Sequence, residues 1–118
     1  MHESQPHVLS AGSLAGTRVV NAEGEDLGRI EELMIDLPSG RVAYAVLSFG
    51  GFLGFGDKLF ALPFEALAID PEQERFRLDV SRERLEQAEG FDKDDWPDFA
   101  DRRWGEGVYR HYGVATYW

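Results

Sequence analysis

Alternation between apolar and polar positions organises the first two-thirds of the chain. RFRLDV places Phe76, Leu78 and Val80 on one face and Arg75, Arg77 and Asp79 on the other, the pattern of a half-exposed strand. VAYAVLSF is apolar throughout: Val42, Tyr44 and Val46 face one way and Ala43, Ala45, Leu47 and Phe49 the other. Both faces of that strand therefore need cover. TRVV, from Thr17 to Val20, is β-branched and runs into the turn-rich NAEGEDLG, which reads as a strand and its turn.

GRIEELMIDL puts Leu33, Ile35 and Leu37 on one face and Met34 and Asp36 on the other. Ile30 falls out of phase, which predicts a bulge near Glu31 or Glu32. A helix competes for this stretch, and PSGR at Pro38 to Arg41 decides for a β-hairpin into VAYAVLSF. DKLFALP gives a strand ending at Pro63, FEAL a single helical turn, AID a short strand, and PEQE a turn at Pro71 to Glu74. Six short strands between residues 17 and 80 predict a closed or nearly closed antiparallel β-barrel, because closure removes exposed edges.

After the strands the pattern changes. Ser81 is placed to cap a short helix over SRERLEQAEG, with Leu85 and Ala88 as its apolar positions and Gly90 as its stop. The tail holds Trp96, Trp104 and Trp118 with Phe99, Tyr109, Tyr112 and Tyr117. Pro97 suits a first helical position. Ala100, Trp104, Val108 and Tyr112 recur every fourth residue, although Gly105 and Gly107 weaken the helix. So much aromatic surface requires burial, either on the barrel's outer face or in the seam of a homodimer. The chain thus divides into a flexible lead-in over 1–10, a barrel over 11–82 and a helical, aromatic-rich extension over 83–118.

With 118 residues, 43% hydrophobic and 29% charged, the chain is long enough for one domain with its own core. It has no cysteine, which excludes disulfides, thiolate metal sites and a cysteine nucleophile and fits a reducing cytoplasm. The first residues carry no basic, apolar leader and no stretch suits a membrane helix, so a cytoplasmic protein without membrane insertion is expected. The net charge of −10 opposes contact with nucleic acid.

Candidate chemistry is sparse. SFGGFLGFG leads into a strand rather than a helix and carries phenylalanines where a phosphate cradle needs amides and cations. It reads as an interstrand loop whose apolar tip could dock on a partner. His2 and His7 lie in the lead-in and His111 in the tail, so no pair sits at a metal-ligand spacing on one element. NAEGED and DKDDWPD lack the order of a calcium loop. Glu31 and Glu32 are neighbours on a strand and point to opposite faces unless a bulge intervenes. No nucleophile motif is present, so the expectation is a non-enzyme without cofactor. An alternative is a small-ligand or divalent-cation binding protein using the acidic turns at Glu23 to Asp26 and Asp92 to Asp95.

The span from Gly16 to Leu67, with GEDLG, IEELMID, GRVAYAVLSFGG and KLFALPF, resembles the PRC-barrel family. That family is named for the cytoplasmic domain of the photosynthetic reaction-centre H subunit and also supplies a domain of a ribosome maturation factor. The tail FDKDDWPDFADRRW to VATYW is similar to that of free-standing bacterial members. The resemblance implies a small six-stranded barrel acting as an interaction or assembly module, with no catalytic residues to carry over. Neither a membrane helix before the barrel, as in the H subunit, nor the companion N-terminal domain and basic surface of the maturation factor is expected here. The expected function is a protein-binding adaptor that self-associates, as a dimer, and docks on another protein. Its candidate contacts are Phe49, Phe52, Leu53 and Phe55 in and beside the loop, and Trp96, Phe99, Trp104, Tyr109, Tyr112, Tyr117 and Trp118 in the tail.

Overall fold

The computed structural model describes residues 9–49, 58–70 and 72–118. In chain order they form helix α1 (Ala11–Leu14), strands β1 (Arg18–Val20), β2 (Asp26–Asp36), β3 (Arg41–Phe49) and β4 (Lys58–Pro63), and a 3-10 turn (Phe64–Ala66). Strands β5 (Leu67–Asp70) and β6 (Arg75–Leu78) and helices α2 (Arg82–Gln87) and α3 (Arg102–His111) complete the chain. The six strands make one sheet in the order β4-β3-β2-β1-β6-β5, curled into a half-barrel.

The expected antiparallel sheet is mixed, because β1 and β6 pair in parallel. The reason lies at the corner after β4. A hairpin turn there would reverse the chain, but the 3-10 turn at Phe64–Ala66 carries β5 onward in the direction of β4. Only the turn after Asp70 reverses it, so β6 arrives beside β1 running the same way. The outer edge of β4 is covered by Phe91, whose N–H donates to Leu59 O at 2.8 Å while Leu59 N–H donates back at 3.0 Å.

The predicted bulge is present. The register of β2 against β3 shifts between Ile30 and Glu32, leaving Glu31 as the extra residue. A second shift, between Met34 and Ile35, leaves Ala43 of β3 unpaired, and the sequence pattern did not reveal it. Through it Ala43 leaves the face of Ala45, Leu47 and Phe49 and joins Tyr44 on the outer side. Of the three residues assigned to one face of β2, Leu33 packs against the inner core, while Ile35 and Leu37 are exposed.

The inner core is Val19, Leu27, Ile30, Ala45, Leu47, Phe49, Phe60, Leu62, Phe76, Leu78 and Leu85, the inward positions of the strands plus one residue of α2. Gly28 sits at φ 127° where β2 crosses β3, and a β-carbon there would collide with the Ser48 carbonyl. Ser81 caps α2 as expected, its Oγ accepting from Arg84 N–H at 3.0 Å. The helix ends at Gln87 rather than at Gly90, since Ala88 is already extended. Gly90 instead serves close passage beside β4, where a β-carbon would lie 2.9 Å from Leu59 O. Helix α1 was not anticipated; Ser10 Oγ accepts from Ser13 N–H at 3.2 Å to cap it. Among the described residues no helix is long and apolar enough to cross a membrane.

Candidate functional site

The second face of β3 is covered by the tail of the same chain. Ala43, Tyr44 and Ala61 form the seat, and Tyr109, Trp104, Val108, Phe91, Phe99, Val114, Tyr117 and Trp118 pack onto it. Helix α3 begins five residues after Pro97, because Asp101 is the cap: its carboxylate accepts from Arg103 N–H at 3.0 Å and Trp104 N–H at 3.4 Å. Pro97 therefore lies in the extended approach and not at the first helical position. Gly105, which lowers helix propensity, permits contact: a β-carbon there would collide with Tyr44 Oη. The last turn carries Arg110 and His111, favourable at the negative end of a helix. The Arg84 guanidinium donates to the His111 carbonyl and ties α2 to α3.

Tyr44 is the centre of the layer, with Phe99, Trp104 and Tyr109 rings at centroid distances of 5.3, 5.5 and 5.7 Å. Burial pushes its phenol up to about 12 and raises that of Tyr109 as well. Tyr109 Oη donates to Ala43 O at 2.7 Å, so the residue displaced by the second bulge finds its partner in the tail. At the hairpin end, Asp36 anchors the chain terminus. Its Oδ2 accepts from Tyr117 Oη at 2.7 Å, Ser39 Oγ at 2.9 Å and an Arg102 guanidinium nitrogen at 3.4 Å. The Tyr117 and Ser39 bonds hold this carboxyl below its usual pKa, with Arg102 adding to them. Arg102 also lies over the Trp118 ring at 4.6 Å, and Arg41 over Tyr117 at 4.2 Å.

Beside this anchor is a groove of about 340 Å³ whose wall includes Met34, Ile35, Leu37, Phe99 and Arg102. Ile35 is 46% and Leu37 84% exposed. Neither was among the contact residues expected from the sequence. A leucine immediately before Pro38, at the start of a tight turn, is the signal that could have found the groove.

The expected contact residues separate into groups. Phe49 is turned into the barrel, packed on Phe60 with Arg82 across its ring, and offers no surface. Phe52, Leu53 and Phe55 lie outside the described residues. Phe99, Trp104, Tyr109, Tyr117 and Trp118 belong to the layer on β3. Tyr112 packs against the inner core instead. Trp96 is 38% exposed, its indole N–H donating to Lys93 O at 2.7 Å and its ring 5.2 Å from that of Phe91.

The acidic turn at Glu23 to Asp26 has internal work. Asn21 is buried; its Oδ1 accepts from Glu23 and Glu25 N–H, and its Nδ2 donates to Glu25 Oε1 at 2.7 Å and Val80 O at 3.2 Å. The Glu25 carboxylate is thus engaged in holding the turn. Glu31 and Glu32 are both exposed. Among the described residues no three His, Asp or Glu side chains gather closely enough to hold a cation.

A family model described as PRC-barrel domain matches residues 6–85. The chain belongs to the PRC-barrel family. No curated protein matches it. Among solved structures it is similar to the RimM chain of Pseudomonas aeruginosa, described as a 16S ribosomal RNA processing protein. The two are 21% identical over 70% of this chain and 50% of that one, with a TM-score of 0.44. The chain spans half the length of that protein.

Proposed function

We propose that this PRC-barrel is a non-enzymatic interaction module of the cytoplasm, an adaptor that docks on other protein chains and associates with a second copy of itself through the hairpin groove. The observation that carries this reading is the exposed Leu37, a knob set directly beside an apolar hole. In a two-fold arrangement the same patch meets itself, so Leu37 of each copy enters the groove of the other. Charge favours this face. A chain of net charge −10 repels its copies over most of its surface, whereas here Asp36 is matched by Arg102 at 3.4 Å. Trp96 extends the apolar surface available to a partner.

Light scattering tests the reading. Wild type is expected to form a dimer at micromolar concentration. Leu37→Asp should return it to monomer while leaving stability within about 0.5 kcal/mol, as for other exposed positions. A wild-type chain that stays monomeric, or a variant of unchanged mass, contradicts it.

A further inference from the structure

Strand register sets three arginines in one row. Arg29 of β2 is paired with Arg18 of β1, and Arg18 with Arg75 of β6. Directly paired residues project from the same face of a sheet, roughly 5 Å apart. The residues next to them, Val19, Ile30 and Phe76, are buried in the core, so the row lies on the outside. Like charges directly opposite one another destabilise a ladder, and this chain has 22 acidic residues against 12 basic ones from which to draw neutral or opposite pairs.

Neutralisation of the row is incomplete. Arg75 Nε lies 3.5 Å from Asp70 Oδ2. Arg18 reaches Asp26 only at 4.0 Å, with both side chains more than half exposed. Among the described residues Arg29 has no carboxylate partner, and its guanidinium donates to Gly16 O at 3.2 Å. A local arrangement that opposes folding and gains no packing is expected where a site serves binding.

The same arginines line a groove of about 730 Å³ bordered by α1, β1, β2 and the β5–β6 turn. Leu14 and Ile69 contribute an apolar wall, and Asp70 and Glu74 are the acids in the lining. Asp70 is already engaged with Arg75 and with Gln73 N–H at 3.3 Å. We propose that this groove binds an acidic peptide segment of another protein, its carboxylates bridging Arg29, Arg18 and Arg75 and its apolar side chains resting on Leu14 and Ile69.

Three features select that ligand. The guanidinium fork matches a carboxylate with two parallel hydrogen bonds. The apolar wall suits peptide side chains better than a bare run of phosphates. The surrounding charge of −10 repels a nucleic acid extending well beyond the row, while a short segment lies within about one screening length of the arginines, roughly 8 Å in physiological salt. The groove shares no residue with the hairpin groove and does not rest on the self-association reading.

Fluorescence anisotropy with a fluorescein-labelled peptide of alternating Glu and Leu tests the site. Wild type should bind saturably, and more weakly as salt is raised. Arg18→Gln and Arg29→Gln should each weaken binding about tenfold, the size expected for a charged hydrogen bond, and Arg103→Gln on α3 should leave it unchanged. The thermal midpoint of Arg18→Gln should equal or exceed that of wild type, which separates lost binding from lost folding. Leu37→Asp should bind the peptide as wild type does, so the two sites are tested separately. Unchanged binding by Arg18→Gln and Arg29→Gln, no binding by wild type at millimolar peptide, or equal affinity for a single-stranded oligonucleotide of the same charge would overturn the proposal.

Discussion

The two layers against β3 are built from different chemistry. Inside the half-barrel, Ala45, Leu47 and Phe49 meet Phe60, Leu62 and Phe76, hydrocarbon against hydrocarbon, with burial as the driving force. Outside, Tyr44 meets Tyr109, Tyr117, Trp104 and Trp118, and the rings are fixed by polar handles on Ala43 O and Asp36. The inner layer responds to volume. The outer one also responds to charge, pH and the loss of single hydrogen bonds.

The difference can be broken most severely from the inside. Phe60→Ala, which empties a position fully enclosed in the inner core, should lower unfolding free energy by about 3–5 kcal/mol, read by urea denaturation. Loss of only the near-ultraviolet tail signal, with the barrel intact, would place Phe60 outside the shared core. In the outer layer Tyr109→Phe keeps the ring and removes the donor to Ala43 O. The buried carbonyl is left unpaired, so a loss of about 1–3 kcal/mol is expected in the same assay.

Acid should act on the outer layer through Asp36. Its folded pKa lies below the usual carboxylate value, so the stabilisation is complete above the unfolded value of about 3.9 and is lost as pH falls through the lower folded one. Thermal midpoints recorded between pH 6 and pH 2 should fall more steeply for wild type than for Asp36→Asn. Parallel curves would mean that the anchor contributes no pH dependence. The smallest effect is expected at Tyr112, whose buried hydroxyl has no hydrogen-bond partner among the described residues. Tyr112→Phe should be neutral or stabilising by roughly 0.5 kcal/mol, because it removes an unsatisfied polar group.

Legibility in the sequence follows the same division. RFRLDV and VAYAVLSF announce their faces by period two, and the phase slip at Ile30 marks the first bulge. The demand of β3 for cover on both sides was readable from its uninterrupted apolar run. The second bulge was not readable, because its extra residue, Ala43, lies between Val42 and Tyr44 in an uninterrupted apolar run and leaves the pattern unbroken. Ala43 was misplaced for that reason. The parallel pairing of β6 depends on whether Phe64–Ala66 bends or reverses the chain, a choice set by tertiary contact. The start of α3 is decided by Asp101 in competition with Pro97, two signals of similar strength. The arginine row is visible only once register joins residues 18, 29 and 75.

The central claim is that the aromatic tail covers its own barrel and leaves Leu37 to meet a second copy. An isotope-filtered nuclear Overhauser experiment on an equal mixture of labelled and unlabelled chains tests it most directly. The account predicts intermolecular cross-peaks at the Leu37 methyls and none between the Tyr44 and Tyr109 rings. Intermolecular cross-peaks between those two rings, or none at Leu37 in a sample that sizing shows to be dimeric, would contradict it.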